Sequence, residues 1–239
     1  MTKNELIQKA VTYVKTNIIP EKLIGYAVSG SALLNLDDQQ SDIDISFITE
    51  NLNQQQISSS LNIYDPETDC IVEILVEDIY NLFNYSLQDY YGYFSWINYI
   101  RCKSNPIIFD TAVAIKYEGL KNLIANYNQL WFMLMLVQHR ESLIKVLRKL
   151  KTNSNISLTR KDVKETYHLC YAFCDLYSKE CPVEIIKQLK RNALDSLSAE
   201  DKEKLKEILN TISLIEILSL DNLETQLEKF KQEARIVWM

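Results

Sequence analysis

Every segment of this chain that alternates or runs apolar in the manner of a β-strand lies before residue 77, and the text after it is written at helical spacing. A chain divided in this way points to a small sheet built early and a helical part added behind it. Four Gly and four Pro among 239 residues are too few for the many tight turns of an all-β sandwich or barrel. With 47% hydrophobic and 24% charged residues the chain can bury a core, which excludes a disordered or collagen-like protein.

The strand candidates are Leu23 to Ser29 (LIGYAVS), Ser41 to Ile48 (SDIDISFI) and Cys70 to Val76 (CIVEILV), the last preceded by the turn Asp65-Pro66-Glu67-Thr68. Helical periodicity is expected over 4–17 and then over about 77–102, 107–127, 129–152, 159–180, 183–193, 199–219 and 221–235. Thr159 with Asp162 and Ser198 with Asp201 stand at the capping-box interval, and Pro182 suits a helix start. These readings predict an α+β fold, a small mixed sheet in residues 1–115 followed by a helical domain over 116–239.

The longest apolar run, Leu130 to Val137, is far short of the roughly 18–20 residues that span a bilayer, so no membrane association is expected. The first residues (MTKNELIQKA) contain no apolar signal core, and the five cysteines form no CxxC pair. Both features lead to the expectation of a cytoplasmic protein with reduced thiols. The net charge of −6 conceals an uneven distribution. Between Gln138 and Lys164 eight Lys/Arg face only Glu141 and Asp162, a local +6, so a net-acidic chain can still meet an anion there.

The stretch richest in chemistry runs from Ser29-Gly30-Ser31 to Asp42-Ile43-Asp44. Gly30 has no Cβ, so a phosphate can approach the backbone closely. Ser31 is expected at a helix N-terminus, where unpaired N–H groups and the helix dipole attract anions and the hydroxyl adds a donor. Asp42 and Asp44, two apart on a strand, project from one face, and paired carboxylates beside a triphosphate are what Mg²⁺ or Mn²⁺ binding requires.

Gly30-Ser31, ten intervening residues and Asp42-x-Asp44 between apolar strands resemble the nucleotidyltransferase superfamily that includes DNA polymerase β. Lys103-Ser104-Asn105-Pro106-Ile107-Ile108 and Lys164 to Leu169 are similar to segments of its RNA-ligase-associated branch. The resemblance implies a third carboxylate on a later strand. Glu73 is the choice, because an ionised side chain inside Ile71-Val72-Glu73-Ile74-Leu75 is costly unless a cation meets it; Asp69 and Glu77 share its parity and remain candidates. It also implies that Asp42, Asp44 and Glu73 hold metal, and that Ser29, Gly30 and Ser31 hold the phosphates of an NTP. The implied reaction transfers a nucleoside monophosphate to a hydroxyl acceptor, an RNA end, protein or small molecule, and releases pyrophosphate. The alternative is a catalytically inactive relative acting as a binding or regulatory module, such as an antitoxin-like partner or nucleotide sensor.

Each feature also has a plainer explanation. Gly-Ser turns and surface Asp-x-Asp pairs are common when met singly, and Glu73 could be an edge-strand carboxylate facing solvent. The basic run could be a solvated helix face. His168, Cys170 and Cys174 do not make a zinc site, because His168 and Cys170 are two apart on a helix and point to different faces.

Overall fold

The computed structural model describes residues 3–17, 23–29, 43–50, 61–65, 70–84, 107–152, 156–177, 185 and 196–239. In chain order the elements are α1 (Lys3–Asn17), β1 (Leu23–Ser29), β2 (Ile43–Thr49), β3 (Leu61–Asp65), β4 (Cys70–Asp78), α2 (Asn81–Asn84) and β5 (Ile107–Ile108). They continue with α3 (Thr111–Asn126), α4 (Asn128–Thr152), α5 (Arg160–Leu176), α6 (Ala199–Ser213) and α7 (Leu220–Trp238). The fold is α+β, a mixed five-stranded sheet in the order β3-β4-β2-β1-β5 together with helices.

The sheet follows from its alternation. Tyr26 and Val28 of β1, Ile43, Ile45 and Phe47 of β2, and Val72, Ile74 and Val76 of β4 share one face. Leu6, Ala10, Val11 and Val14, recurring at helical spacing along α1, join them in one core cluster. Each large apolar side chain so buried contributes about 1.5–3 kcal/mol. The intervening residues of β1, β2 and β4, among them Asp44 and Glu73, therefore belong to the face turned away from α1.

β1 and β2 pair antiparallel, β2 and β4 parallel, and β3 and β4 antiparallel. At the sheet's other edge β1 meets the two-residue β5, and here Gly25 has a steric reason: a Cβ would stand 2.5 Å from the Ile107 carbonyl oxygen. α3 starts from Asp110, whose carboxylate accepts the backbone N–H of Ala112 at 2.7 Å.

The chain divides into two compact units, Met1–Asn126 with Lys229–Met239, and Tyr127–Glu228. The sequence-based boundary at 115/116 falls inside α3, and α7 contributes residues to both units. Within the first unit the last turn of α7 is tied to the region beyond β2 and β4. Trp238 Nε1 donates to Glu50 (3.4 Å), Tyr80 donates its hydroxyl proton to the same oxygen (3.2 Å), and Arg235 donates to the Phe83 carbonyl (2.6 Å). Within the second unit α4 packs on α5 and α6, with Trp131, Phe132, Val146, Leu169, Phe173, Leu205 and Leu209 buried.

Several expectations needed correction. The helix expected over 77–102 does not begin there: β4 runs on to Asp78, because Glu77 and Asp78 still pair with Ile48 and Thr49, and the four-residue α2 starts only at Asn81. Residues 107–108 are strand rather than helix, and α6 stops at Ser213 with Leu214 as its cap. β3 was not expected at all. The helix expected over 183–193 lies almost wholly outside the described residues. No described helix is long and apolar enough to cross a membrane.

Candidate functional site

The candidate site is a row of residues across neighbouring strands. Ser29, the last residue of β1, pairs with Asp44 of β2, and Asp44 pairs with Glu73 of β4. Residues opposite one another in adjacent strands lie on the same face about 4.7–4.9 Å apart, so the backbone holds the two acids side by side. Both are half-buried. Asn62 of β3 pairs with Glu73 on the other side, so the row crosses four strands.

β3 settles how Glu73 is exposed. β4 lies between β3 and β2 and is interior to the sheet, so Glu73 is not an edge-strand carboxylate. Glu77 pairs with Ile48, four positions further along both strands, which places it roughly 13 Å from the Asp44 row. Gly30, Ser31, Asp42 and Asp69 lie outside the described residues, as does the side chain of Ser29. Gly30 follows directly on the strand end that pairs with Asp44, and Asp42 precedes β2 by one residue.

The donor set suits a hard divalent cation, since adjacent carboxylates supply oxygen ligands. Among the described residues no group of three or more His, Cys, Asp or Glu is placed to hold a metal; Asp44 and Glu73 contribute two carboxylates. Cys170 and Cys174 are buried, and burial with the neighbouring Cys174 pushes the Cys170 thiol far up, as for inert core thiols.

The basic stretch is partly absorbed by its own helix pair. Lys145 bridges to Asp162 (3.0 Å) and Lys161 to Glu165 (3.7 Å). Arg148, Lys151 and Lys164 are exposed, as expected of a solvated face, and the Arg160 side chain lies outside the described residues. Asp162 itself is a helix-start residue: its carboxylate accepts from the Thr159 backbone N–H (2.9 Å) and hydroxyl (2.7 Å), while its own N–H donates to Thr159 Oγ1 (3.1 Å). At the second, Ser198 caps its helix, with Asp201 N–H donating to Ser198 Oγ at 3.1 Å.

No protein-family model and no curated protein matches the chain. Among solved structures it is similar to spectinomycin adenyltransferase AAD(9) from Enterococcus faecialis, a structure with ATP and spectinomycin. The identity is 14%, the match covers 98% of this chain and 100% of that one, and the TM-score is 0.46.

Proposed function

We propose that this protein is a metal-dependent nucleotidyltransferase that moves a nucleoside monophosphate from an NTP to a hydroxyl acceptor and releases pyrophosphate. The observation that carries the reading is the direct pairing of Asp44 with Glu73 on adjacent strands, with Ser29, the residue before Gly30-Ser31 in the sequence, paired to Asp44 on the other side. Residues 1–115 would carry the reaction and the helices of 116–239 would complete the protein.

Asp42, Asp44 and Glu73 would hold Mg²⁺ or Mn²⁺. Such ions, when bound, neutralise the triphosphate and lower the pKa of the attacking hydroxyl. Ser29, Gly30 and Ser31 supply N–H and hydroxyl donors to the β- and γ-phosphates, keeping the leaving group in place. The sheet fixes the spacing of Asp44 and Glu73, so no reorganisation is needed when negative charge grows at the α-phosphorus. The acceptor oxygen forms a bond to that phosphorus, the bond to the β-phosphate oxygen breaks, and the hydroxyl proton passes to solvent.

The acceptor is proposed only as a hydroxyl group, and the superfamily is the level at which the reading is made. Of the two segments similar to the RNA-ligase-associated branch, Lys103 to Pro106 lies outside the described residues. Lys164 to Leu169 falls inside α5, where Thr166, Tyr167 and Leu169 are buried, as any packed helix requires.

The test is incubation with each α-labelled NTP and Mg²⁺ or Mn²⁺, with and without total RNA, followed by separation of labelled RNA, protein and small products. Labelled product with pyrophosphate, lost when Asp42 and Asp44 are both changed to Ala, is expected. Incorporation unchanged in that variant would sink the assignment, and metal-dependent NTP binding without turnover would favour the inactive module.

A further inference from the structure

From Leu23 to Ile100 the chain contains no Lys, Arg or His, yet it carries twelve Asp and Glu. That stretch includes β1 to β4 and both parts of the candidate site, Gly30-Ser31 and the acids of β2 and β4. The topology gathers many of these acids at one end of the sheet. Ser29 closes β1 and Ile43 opens β2, while Asp65 closes β3 and Cys70 opens β4. Ser29 pairs with Asp44 and Asp65 with Cys70, three residues before Glu73, so both connections join strand ends on the side that holds the Asp44–Glu73 pair. Residues 30–42 and 66–69 contain five acids; Asp44, Glu73 and Asp65 make eight, with no basic residue among them.

The strand neighbours of the acid pair are uncharged. On the face turned away from α1, Ser46 and Leu75 stand two residues further along β2 and β4, and Ile71, two residues before Glu73, is 37% exposed. Cations of the same unit are engaged elsewhere. Lys15 stands on α1, which covers the opposite face, and lies 4.0 Å over the Phe109 ring; Arg235 donates to the Phe83 carbonyl, beyond the far end of β4. A triphosphate and its metal ions largely cancel in charge, so the acids that ligate no metal leave this end of the sheet negative. Such a field concentrates cations and repels polyanions, and nucleic-acid binding rests on Lys and Arg meeting phosphates.

We propose that the hydroxyl acceptor is a small cationic molecule, an amine-bearing alcohol, rather than a nucleic acid. This rests on the nucleotidyltransferase reading and deepens it. The ammonium group is drawn to the acids that hold no metal, the hydroxyl oxygen takes the nucleoside monophosphate, and the product keeps its positive amine. An RNA end meets the same field as repulsion, because its own phosphates find no Lys or Arg there.

In the test, α-labelled ATP and Mg²⁺ are supplied with three acceptors: the part of a small-molecule cell extract retained by a cation exchanger, the part not retained, and total RNA. Label should pass to the retained part about tenfold faster than to either of the others, and the rate should fall severalfold as KCl rises from about 10 to 150 mM. Asp65→Asn combined with Glu67→Gln changes none of the proposed metal ligands. It should slow that transfer about three- to tenfold at limiting acceptor, with Mn²⁺-dependent ATP binding no weaker than in wild type. Spermidine, a cation with no hydroxyl to react, reads the same field without turnover and should bind the variant more weakly in calorimetry. Label chiefly in RNA or in the unretained part, or spermidine binding unchanged in the variant, would overturn the proposal and leave nucleotidyl transfer standing. No label with any acceptor, together with no metal-dependent ATP binding, would overturn that reading and the proposal with it.

Discussion

Asp162 and Glu165 in the helical unit, and Asp44 and Glu73 in the sheet, are both close pairs of acids, yet they are held by different means. In the helical unit Asp162 is ringed by donors: the Thr159 N–H and hydroxyl and the Lys145 ammonium. Burial works against its charge, but these donors outweigh burial and hold the carboxyl well below the usual range. Asp44 and Glu73 are brought together by backbone pairing, so the sheet rather than an attraction sets their spacing. The first arrangement fastens a helix start to its neighbour. The second presents two carboxylates on one face at a spacing set by strand pairing.

That contrast can be broken from either side, and the largest effect should fall on chemistry. Glu73→Gln keeps the shape and removes one charge; NTP turnover should fall about 10²–10³-fold with the fold intact. Retained turnover would place the third carboxylate elsewhere. Next comes Asp162→Ala, which should lower stability in urea unfolding by about 1–3 kcal/mol while NTP binding per folded molecule is unchanged.

The pH dependence of Asp162 has a definite sign. Its folded value lies below its unfolded 3.8, so its contribution is present above that pH and is lost as pH falls further. Asp162→Asn should therefore flatten the decline of stability below about pH 4, measured by thermal unfolding across that range. On the sheet side, Gly25→Ala forces a methyl against the Ile107 carbonyl and should cost about 1–2 kcal/mol by loosening β5. The smallest effect is a gain: without metal, Glu73→Gln should be more stable than wild type by about 0.2–1 kcal/mol, because one of two like charges on paired strands is gone.

The strands that hold the acids were legible because their alternation is strict. Leu23–Ser29 was bounded as found, and the register of β2 with β4 confirms that Ile43, Ile45, Val72 and Ile74 share the face opposite Asp44 and Glu73. Both helix caps were legible for the same local reason. β5 was not, because two residues cannot display a period, and β3 was not, because Leu61–Asp65 is short and carries Asn62 and Asp65, residues that read as turn. β3 has a consequence for the site: without it Glu73 reads as an edge residue, and with it β4 lies inside the sheet. The pairing of Asp44 with Glu73 was also beyond the sequence, because parity gives a face but not a register, and Glu77 had the same parity. The Lys145–Asp162 and His139–Glu165 contacts join residues 17 and 26 positions apart, so they depend on how two helices cross rather than on any local signal.

The central claim is that Asp44 and Glu73 act as one cation site, and a double-mutant cycle tests it most directly. Mn²⁺-dependent ATP binding is measured by calorimetry for wild type, Asp44→Asn, Glu73→Gln and the double variant. If the two acids share a cation, each single change should remove most of the metal-dependent affinity and the double change should add little beyond either. Additive losses, or metal-dependent binding intact in Glu73→Gln, would contradict it.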